Sequence, residues 1–269
     1  MLKKRIMTAV VLAVVVILLL FRSTPLIWSL AFYAVAAIAA WEWAGFAGAL
    51  QFKERFVFVL LAGLLIGLFE YYGLYEVLIW VSPLLLFFMM MTVFRYQRMQ
   101  GQAVITSPMA VLVLGLWTIA TFTVAMVHFP AFLSPSEILL SMMAIWAIDT
   151  GAYFSGRRFG KTKLASYVSP GKTWEGVIGG GLFSFGVILI GAMSVVHPLK
   201  VSPVLFALLA SLIALLSVFG DLFQSVLKRQ AGLKDSGKIL PGHGGVLDRI
   251  DSLLISMPLF YLLWQWSLM

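Results

Sequence analysis

The sequence has 269 residues, of which 62% are hydrophobic, 14% aromatic and only 11% charged, whereas soluble domains run near half apolar and a quarter charged. That balance excludes a water-soluble globule, and the absence of cysteine excludes disulfides, thiolate metal ligands and a cysteine nucleophile. The formal net charge of +8 is tested first as membrane topology, and nucleic acid is not needed to explain it.

Apolar runs predict nine membrane-spanning helices, at roughly 6–21, 26–50, 56–75, 77–94, 109–128, 138–156, 176–197, 201–222 and 248–269. The chain is expected to be an all-α polytopic membrane protein forming one membrane domain over 1–269. Residues 1–137 supply the N-terminal helices, and 138–269 supply the catalytic helices and cytoplasmic loops. The first run is short, so Lys4, Arg5 and Arg22 are expected to snorkel at its ends. A cleaved signal peptide is disfavoured, because Phe21-Arg22-Ser23-Thr24-Pro25 offers no small-x-small cleavage site. Counted by face, every one of the 19 Lys and Arg residues except Arg22 and Lys200 falls on one side. The positive-inside rule puts that side and the N-terminus in the cytoplasm and the C-terminus outside. An active site facing the cytoplasm from the inner membrane is therefore expected. No repeat relates the two halves, and no paired interrupted helices occur, which weakens a transporter reading.

The acidic residues divide along the chain. Glu42, Glu54, Glu70, Glu76 and Glu137 lie at or near predicted helix ends, where an exposed carboxylate costs little. Glu42, between Trp41 and Trp43, reads as part of an interfacial aromatic belt. Asp149 lies about 17 Å into the sixth span, where a carboxylate marks a site or pairs with a cation on a neighbouring helix. Glu175 begins the seventh helix. Just before it stand Ser169 and Thr173, as hydroxyl donors, and Lys172, a point charge for phosphate. Arg157, Arg158, Lys161 and Lys163 have the plainer reading of a polybasic strip facing lipid headgroups. Gly-Lys-Thr occurs at 160–162 and 171–173, but Ser155 and Ser166 stand where a Walker motif has its first Gly. No strand is expected ahead of either copy, so a P-loop is rejected.

Asp221, Ser225, Lys228 and Arg229, at i, i+4, i+7 and i+8, share one helix face. They form either an internal salt bridge or a metal ligand beside phosphate-binding cations. Asp235 stands in the loop that follows. Asp248 and Asp251, three apart, open the last helix; they are either favoured by its dipole or bridged by a cation. Such oxygen ligands suit Mg²⁺, which binds through one or two carboxylates plus substrate phosphates. Upstream, Pro241-Gly242-His243-Gly244-Gly245 reads, beside these carboxylates and Arg249, as a cradle for nucleotide phosphates.

From Ser225 to Asp251 the sequence SVLKRQAGLKDSGKILPGHGGVLDRID resembles the signature of the phosphatidate cytidylyltransferase, or CDP-diacylglycerol synthase, family. The matching positions are Ser225, Lys228, Arg229, Lys234, Asp235, Pro241, His243, Gly244, Gly245, Asp248, Arg249 and Asp251. DTGAYFSGRRFGK from Asp149 and SPGKTWEG from Ser169 are similar to further blocks of that family. The resemblance implies transfer of CMP from CTP to phosphatidic acid, giving CDP-diacylglycerol and pyrophosphate with Mg²⁺ required. On this reading Asp221 and Asp248 are metal ligands, with Asp251 a third ligand or just behind them. Lys228, Arg229 and Arg249 hold the triphosphate, with His243 and the Gly244-Gly245 backbone beside it. Ser169, Lys172, Thr173 and Ser225 bind nucleotide or lipid phosphate, while Asp149 and Glu175 complete a polar cavity. A second, monovalent cation is left open. The expected partners are CTP and phosphatidic acid, with no nucleic acid; a homodimer is suggested by Gly- and Ala-containing spans such as 26–50. The rival readings are a CTP-dependent transferase acting on another lipid phosphate or an isoprenoid-type alcohol, and a transporter.

Overall fold

The computed structural model describes residues 2–49 and 51–269, with 2–6 described as backbone only. The snorkelling expected of Lys4 and Arg5, the Lys3 side chain and the Leu50 end of the second predicted span lie outside the described residues. Among the described residues ten α-helices follow in order: α1 (Leu2–Arg22), α2 (Pro25–Ala44), α3 (Phe52–Tyr71), α4 (Tyr75–Ile79), α5 (Ser82–Arg98), α6 (Pro108–His128), α7 (Pro135–Phe159), α8 (Trp174–Ala192), α9 (Pro203–Gln230) and α10 (Leu247–Leu268). Each predicted run is mainly helical, because a chain in hydrocarbon must satisfy its backbone groups internally, although the seventh, 176–197, extends past the end of α8 at Ala192. The fourth run is broken between α4 and α5, where Ser82-Pro83 restarts the helix. Among the described residues, six segments are long and apolar enough to cross a membrane: Pro25–Ala47, Tyr75–Arg98, Pro108–Ala131, Pro135–Phe159, Trp174–Ala192 and Pro203–Gln230. The protein is a polytopic membrane protein.

Four helices open on the same local device, a hydroxyl residue followed by proline: Thr24-Pro25, Ser107-Pro108, Ser134-Pro135 and Ser202-Pro203. The hydroxyl of Ser202 takes the Leu205 N–H at 3.2 Å, and proline has no N–H of its own to leave unpaired. Glu54 and Glu137 complete capping boxes on α3 and α7.

Hydrogen bonds between helix ends define two poles of an up-and-down bundle. At one pole Trp28 Nε1 donates to the Met126 carbonyl (2.6 Å), His128 Nε2 meets Glu70 (3.0 Å), and the Lys200 N–H is donated to the Ser267 carbonyl (2.9 Å). At the other, Trp43 Nε1 donates to the Val111 carbonyl (2.8 Å), the Tyr167 N–H to Gln97 (2.9 Å) and the Ile105 N–H to Gln230 (3.3 Å). Large apolar side chains such as Leu64, Leu84, Leu182 and Ile190 cover the flanks between the poles.

One feature of the fold corrects the sequence reading. A short antiparallel hairpin, β1 (Lys163–Ala165) and β2 (Ser169–Thr173), interrupts the otherwise helical chain between α7 and α8. A strand therefore does precede the second Gly-Lys-Thr. That copy is itself strand leading into a helix cap, so the P-loop is still absent. Within the 26–50 span, Ala36, Ala39, Ala40 and Ala44 are buried inside the protomer.

α7 and α8 approach so closely that a Cβ added at Gly151 would stand 2.9 Å from the Gly180 Cα. One added at Gly176 would stand 2.9 Å from the Ala152 carbonyl. Only small residues permit this seam, and it sets Asp149 beside the start of α8.

Candidate active site

α8 begins where β2 ends. The Thr173 hydroxyl accepts the Gly176 N–H at 3.2 Å and so caps the helix. One residue earlier, Lys172 reaches across to α9, where its Nζ stands 2.5 Å from Asp221 Oδ2. Ser225, one turn on from Asp221, donates to its Oδ1 at 3.4 Å, as the helical spacing predicted. α9 and α10 meet at Gly220, where an added Cβ would stand 3.0 Å from the Asp251 carbonyl. That approach brings the Asp221 and Asp251 carboxyls within direct electrostatic reach of each other. Further along the same face Lys228, buried, places its Nζ 2.7 Å from Asp248 Oδ1.

Asp248 and Asp251 share a helix face but do different work. Asp248 Oδ2 accepts the Ser236 N–H at 2.8 Å and the Gly245 N–H at 3.0 Å. With Lys228 on its other oxygen, Asp248 ties the 231–246 loop to α9. Asp251 turns to Asp221.

Glu42 performs the companion task, a site role that the sequence did not suggest. It is 1% exposed, against the expectation of an exposed residue in an aromatic belt. Its carboxylate accepts the Ser236 hydroxyl (2.8 Å), the Leu247 N–H (2.8 Å) and the Val246 N–H (3.1 Å). It thus caps α10 from another helix. A Cβ at Gly237 or Gly245 would run into this carboxylate, and one at Gly244 would stand 2.7 Å from Asp248 Oδ2. Gly244 also has φ +84°, a left-handed conformation that glycine adopts without strain. The glycines read as a phosphate cradle are therefore wrapped around two internal carboxylates. Glu137, likewise expected to be exposed, is also 1% exposed and accepts the His197 N–H at 2.9 Å at the far pole.

A cavity of about 490 Å³ opens beside Lys172 and is lined by Asp149, Arg157, Ser169 and Thr173 as well. Asp149 makes no ion pair within 4 Å among the described residues, so the structural pairing considered for it is not formed. Glu175 accepts the Thr162 N–H at 3.1 Å and fastens the hairpin. Arg229 and Arg249 are exposed and Asp235 lies at the surface against Gly244. His243 Nδ1 is buried without a hydrogen-bond partner among the described residues, and so is Gln224 Oε1, on α9 between Asp221 and Lys228.

The centre sets four carboxylates, Asp149, Asp221, Asp248 and Asp251, against two ammonium groups, Lys172 and Lys228. Among the described residues no group of three or more His, Asp or Glu is placed to hold a metal ion. The donor chemistry still suits Mg²⁺ at Asp221 and Asp251, because this ion takes one or two carboxylates and completes its shell with water and substrate phosphate. Asp248, already accepting three donors, has little capacity left.

The comparisons with known proteins extend over the whole of this arrangement. A Haemophilus influenzae protein named phosphatidate cytidylyltransferase is 36% identical over 290 residues, covering 97% of each chain. One of the same name from Pseudomonas aeruginosa is 38% identical over 280 residues, covering 98% of this chain and 97% of its own. A third, from Thermotoga maritima, is 39% identical over 161 residues, or 55% of this chain and 60% of its own. The sequence model of the cytidylyltransferase family matches residues 3–267. Because that match takes in both polar segments and every helix that presents them, the chain belongs to the cytidylyltransferase family.

Proposed function

We propose that this protein is a phosphatidate cytidylyltransferase, which joins CMP from CTP to phosphatidic acid and releases CDP-diacylglycerol and pyrophosphate for phospholipid synthesis. The Lys172–Asp221 bond carries the reading, because it unites the two polar segments into one charged centre. The near full-length relatives named for this activity support it.

The phosphate oxygen of phosphatidate is already a nucleophile. It attacks the α-phosphorus of CTP, a new P–O bond forms, and the bond to the β-phosphate breaks with its electron pair leaving on pyrophosphate. No side-chain nucleophile is required, so the protein's task is alignment and screening of charge. Lys172 and Lys228 screen the reacting phosphates, while Arg229 and Arg249 meet the triphosphate from the aqueous rim. Ser169, Thr173 and Ser225 offer hydroxyls to nucleotide or lipid phosphate, and His243 brings a ring nitrogen without a partner among the described residues. Asp221 and Asp251 would hold Mg²⁺, which supplies charge neutralisation at phosphate oxygens. Asp248 and Glu42 act by holding Lys228 and the loop in place, and Glu175 by holding the hairpin. The Gly244-Gly245 backbone sets the shape of the loop, while Asp149 forms the polar wall of the cavity.

In the membrane this reading uses nine spans, with the N-terminus and the Lys172–Asp221 pole in the cytoplasm and the C-terminus outside. It rests on the near-total confinement of Lys and Arg to that pole. A site at this boundary takes CTP from water while phosphatidate keeps its acyl chains in lipid. The deciding experiment incubates purified protein with CTP, phosphatidate and Mg²⁺, with dCTP and ATP as competitors. CDP-diacylglycerol and pyrophosphate are expected, and absence of pyrophosphate release overturns the proposal.

A further inference from the structure

A cavity of about 1160 Å³ lies away from Lys172 and Asp221, between the C-terminal half of α5, residues 104–107 and the start of α6. Along α5 its wall is formed by Phe88, Met91, Arg95 and Arg98, at i, i+3, i+7 and i+10, so one helix face runs from apolar to cationic. Val104 and Ile105 form the opposite wall. The groove is held in shape from two sides, by the Ile105 N–H donated to Gln230 of α9 (3.3 Å) and the Tyr167 N–H of the hairpin donated to Gln97 (2.9 Å).

Neither Arg95 nor Arg98 forms an ion pair among the described residues, and no Asp or Glu lines the groove. Two unpaired guanidinium groups within one helical turn repel each other and gain from a shared anion, and a phosphate matches their planar forks. An apolar slot in a bilayer is filled by acyl chains, and the cations at its end select the headgroup. We propose that this groove docks one anionic glycerophospholipid, with acyl carbon against Phe88, Met91 and Phe94 and the phosphodiester between Arg95 and Arg98. A second copy of the chain is the poorer occupant, because its corresponding pole is itself rich in cations. The inference rests on the membrane placement proposed above, not on the reaction.

The test uses the full chain in phosphatidylcholine nanodiscs doped with phosphatidylglycerol, without nucleotide, and reads retained lipid by native mass spectrometry. Phosphatidylglycerol carries the phosphodiester but is not the proposed substrate. The unaltered protein is expected to retain one phosphatidylglycerol in preference to phosphatidylcholine. The pair Arg95→Gln and Arg98→Gln should lower that retention roughly 30-fold. Lys53→Gln with Lys238→Gln, which removes two exposed cations outside the groove, should change it by less than about threefold. Thr106→Trp fills the slot with every charge kept and should also abolish retention, which covers the case in which the arginine pair does not fold. Undiminished retention in both groove variants overturns the proposal. So does displacement of the lipid by inorganic phosphate, or a Thr106→Trp protein that changes oligomeric state and not lipid content. Lipid retention is read without turnover, so its failure leaves the proposed reaction standing, and an inactive protein leaves the groove standing.

Discussion

Replacing Glu42 by glutamine keeps its size and removes one acceptor, and the structure sets the cost. Oε2 takes the Ser236 hydroxyl and the Leu247 N–H, while Oε1 takes the Val246 N–H. The less costly amide orientation puts the NH₂ group in place of Oε1, where it faces the Val246 N–H donor to donor. One charge-assisted hydrogen bond is lost and one buried N–H is stranded, together about 2–4 kcal/mol. The cost falls on the 231–246 loop, because the rest of α2 still packs through Ala39, Ala40 and Trp43. At ~1.4 kcal/mol per decade the closed fraction falls by at most roughly 30- to 1000-fold, and less if the loop starts with stability to spare. The expected result is pyrophosphate release lowered at least about tenfold, with faster amide exchange at Val246 and Leu247 and little change in Tm. Glu54→Gln, in the exposed capping box of α3, should cost less than about 1 kcal/mol and leave turnover intact. If Glu42→Gln kept turnover within about twofold and exchange at Val246 and Leu247 did not change, the anchoring role would be refuted.

Asp251→Asn should raise the Mg²⁺ concentration for half-maximal turnover at least about tenfold, whereas Asp248→Asn should lower turnover mainly by loosening the loop. Equal Mg²⁺ dependence in the two variants would contradict this division of labour. Gly245→Ala drives a Cβ into Ser236 and Glu42 and should cost about 1–3 kcal/mol in thermal unfolding. At Gly171, with nothing within 4 Å, alanine should be tolerated. The chain has no cysteine, so Ser166→Cys and Ser136→Cys, both at exposed positions, report topology directly. A membrane-impermeant maleimide added to intact cells should label Ser136→Cys, and Ser166→Cys only after permeabilisation; the reverse pattern would invert the proposed orientation.

The helices were legible because hydrocarbon leaves the backbone one local solution, and an apolar run near twenty residues announces it. The hairpin was not legible. Residues 163–173 show no alternation of apolar and polar, and the two strands have only three and five residues, held by Glu175 and the Thr173 cap. Within a single helix, spacing carried real information, as the Asp221–Ser225 bond shows. It carried none about Lys172 and Asp221, 49 positions apart, or about Glu42, whose partners lie about two hundred residues on. Glu42 did leave one trace: Ala39 precedes it by one turn within a run of small residues, the pattern of a face packed inside a bundle and not of a belt in headgroups. The loop glycines were read for a ligand's phosphates, and the anions they meet within the protein are the carboxylates of Glu42 and Asp248. Clustered backbone N–H groups attract negative charge, but a sequence does not say whether that charge belongs to a ligand or to the protein.

The charge arithmetic of the centre then constrains how a nucleotide enters. Asp248 is balanced by Lys228 and two backbone N–H groups, which leaves Asp149, Asp221 and Asp251 to share Lys172. With Asp221 and Asp251 both ionised the floor carries excess negative charge, which a cation between them relieves, while exposed Arg229 and Arg249 make the rim positive. A bare triphosphate is drawn to such a rim and repelled from such a floor. CTP accompanied by a divalent cation meets no such barrier. Equilibrium CTP binding should thus weaken at least about tenfold in EDTA, and Asp221→Asn with Asp251→Asn, which removes the excess charge, should bring the EDTA and Mg²⁺ values together. If the unaltered protein bound CTP equally well in both conditions, the carboxylate pair would not be the gate that its charge makes it.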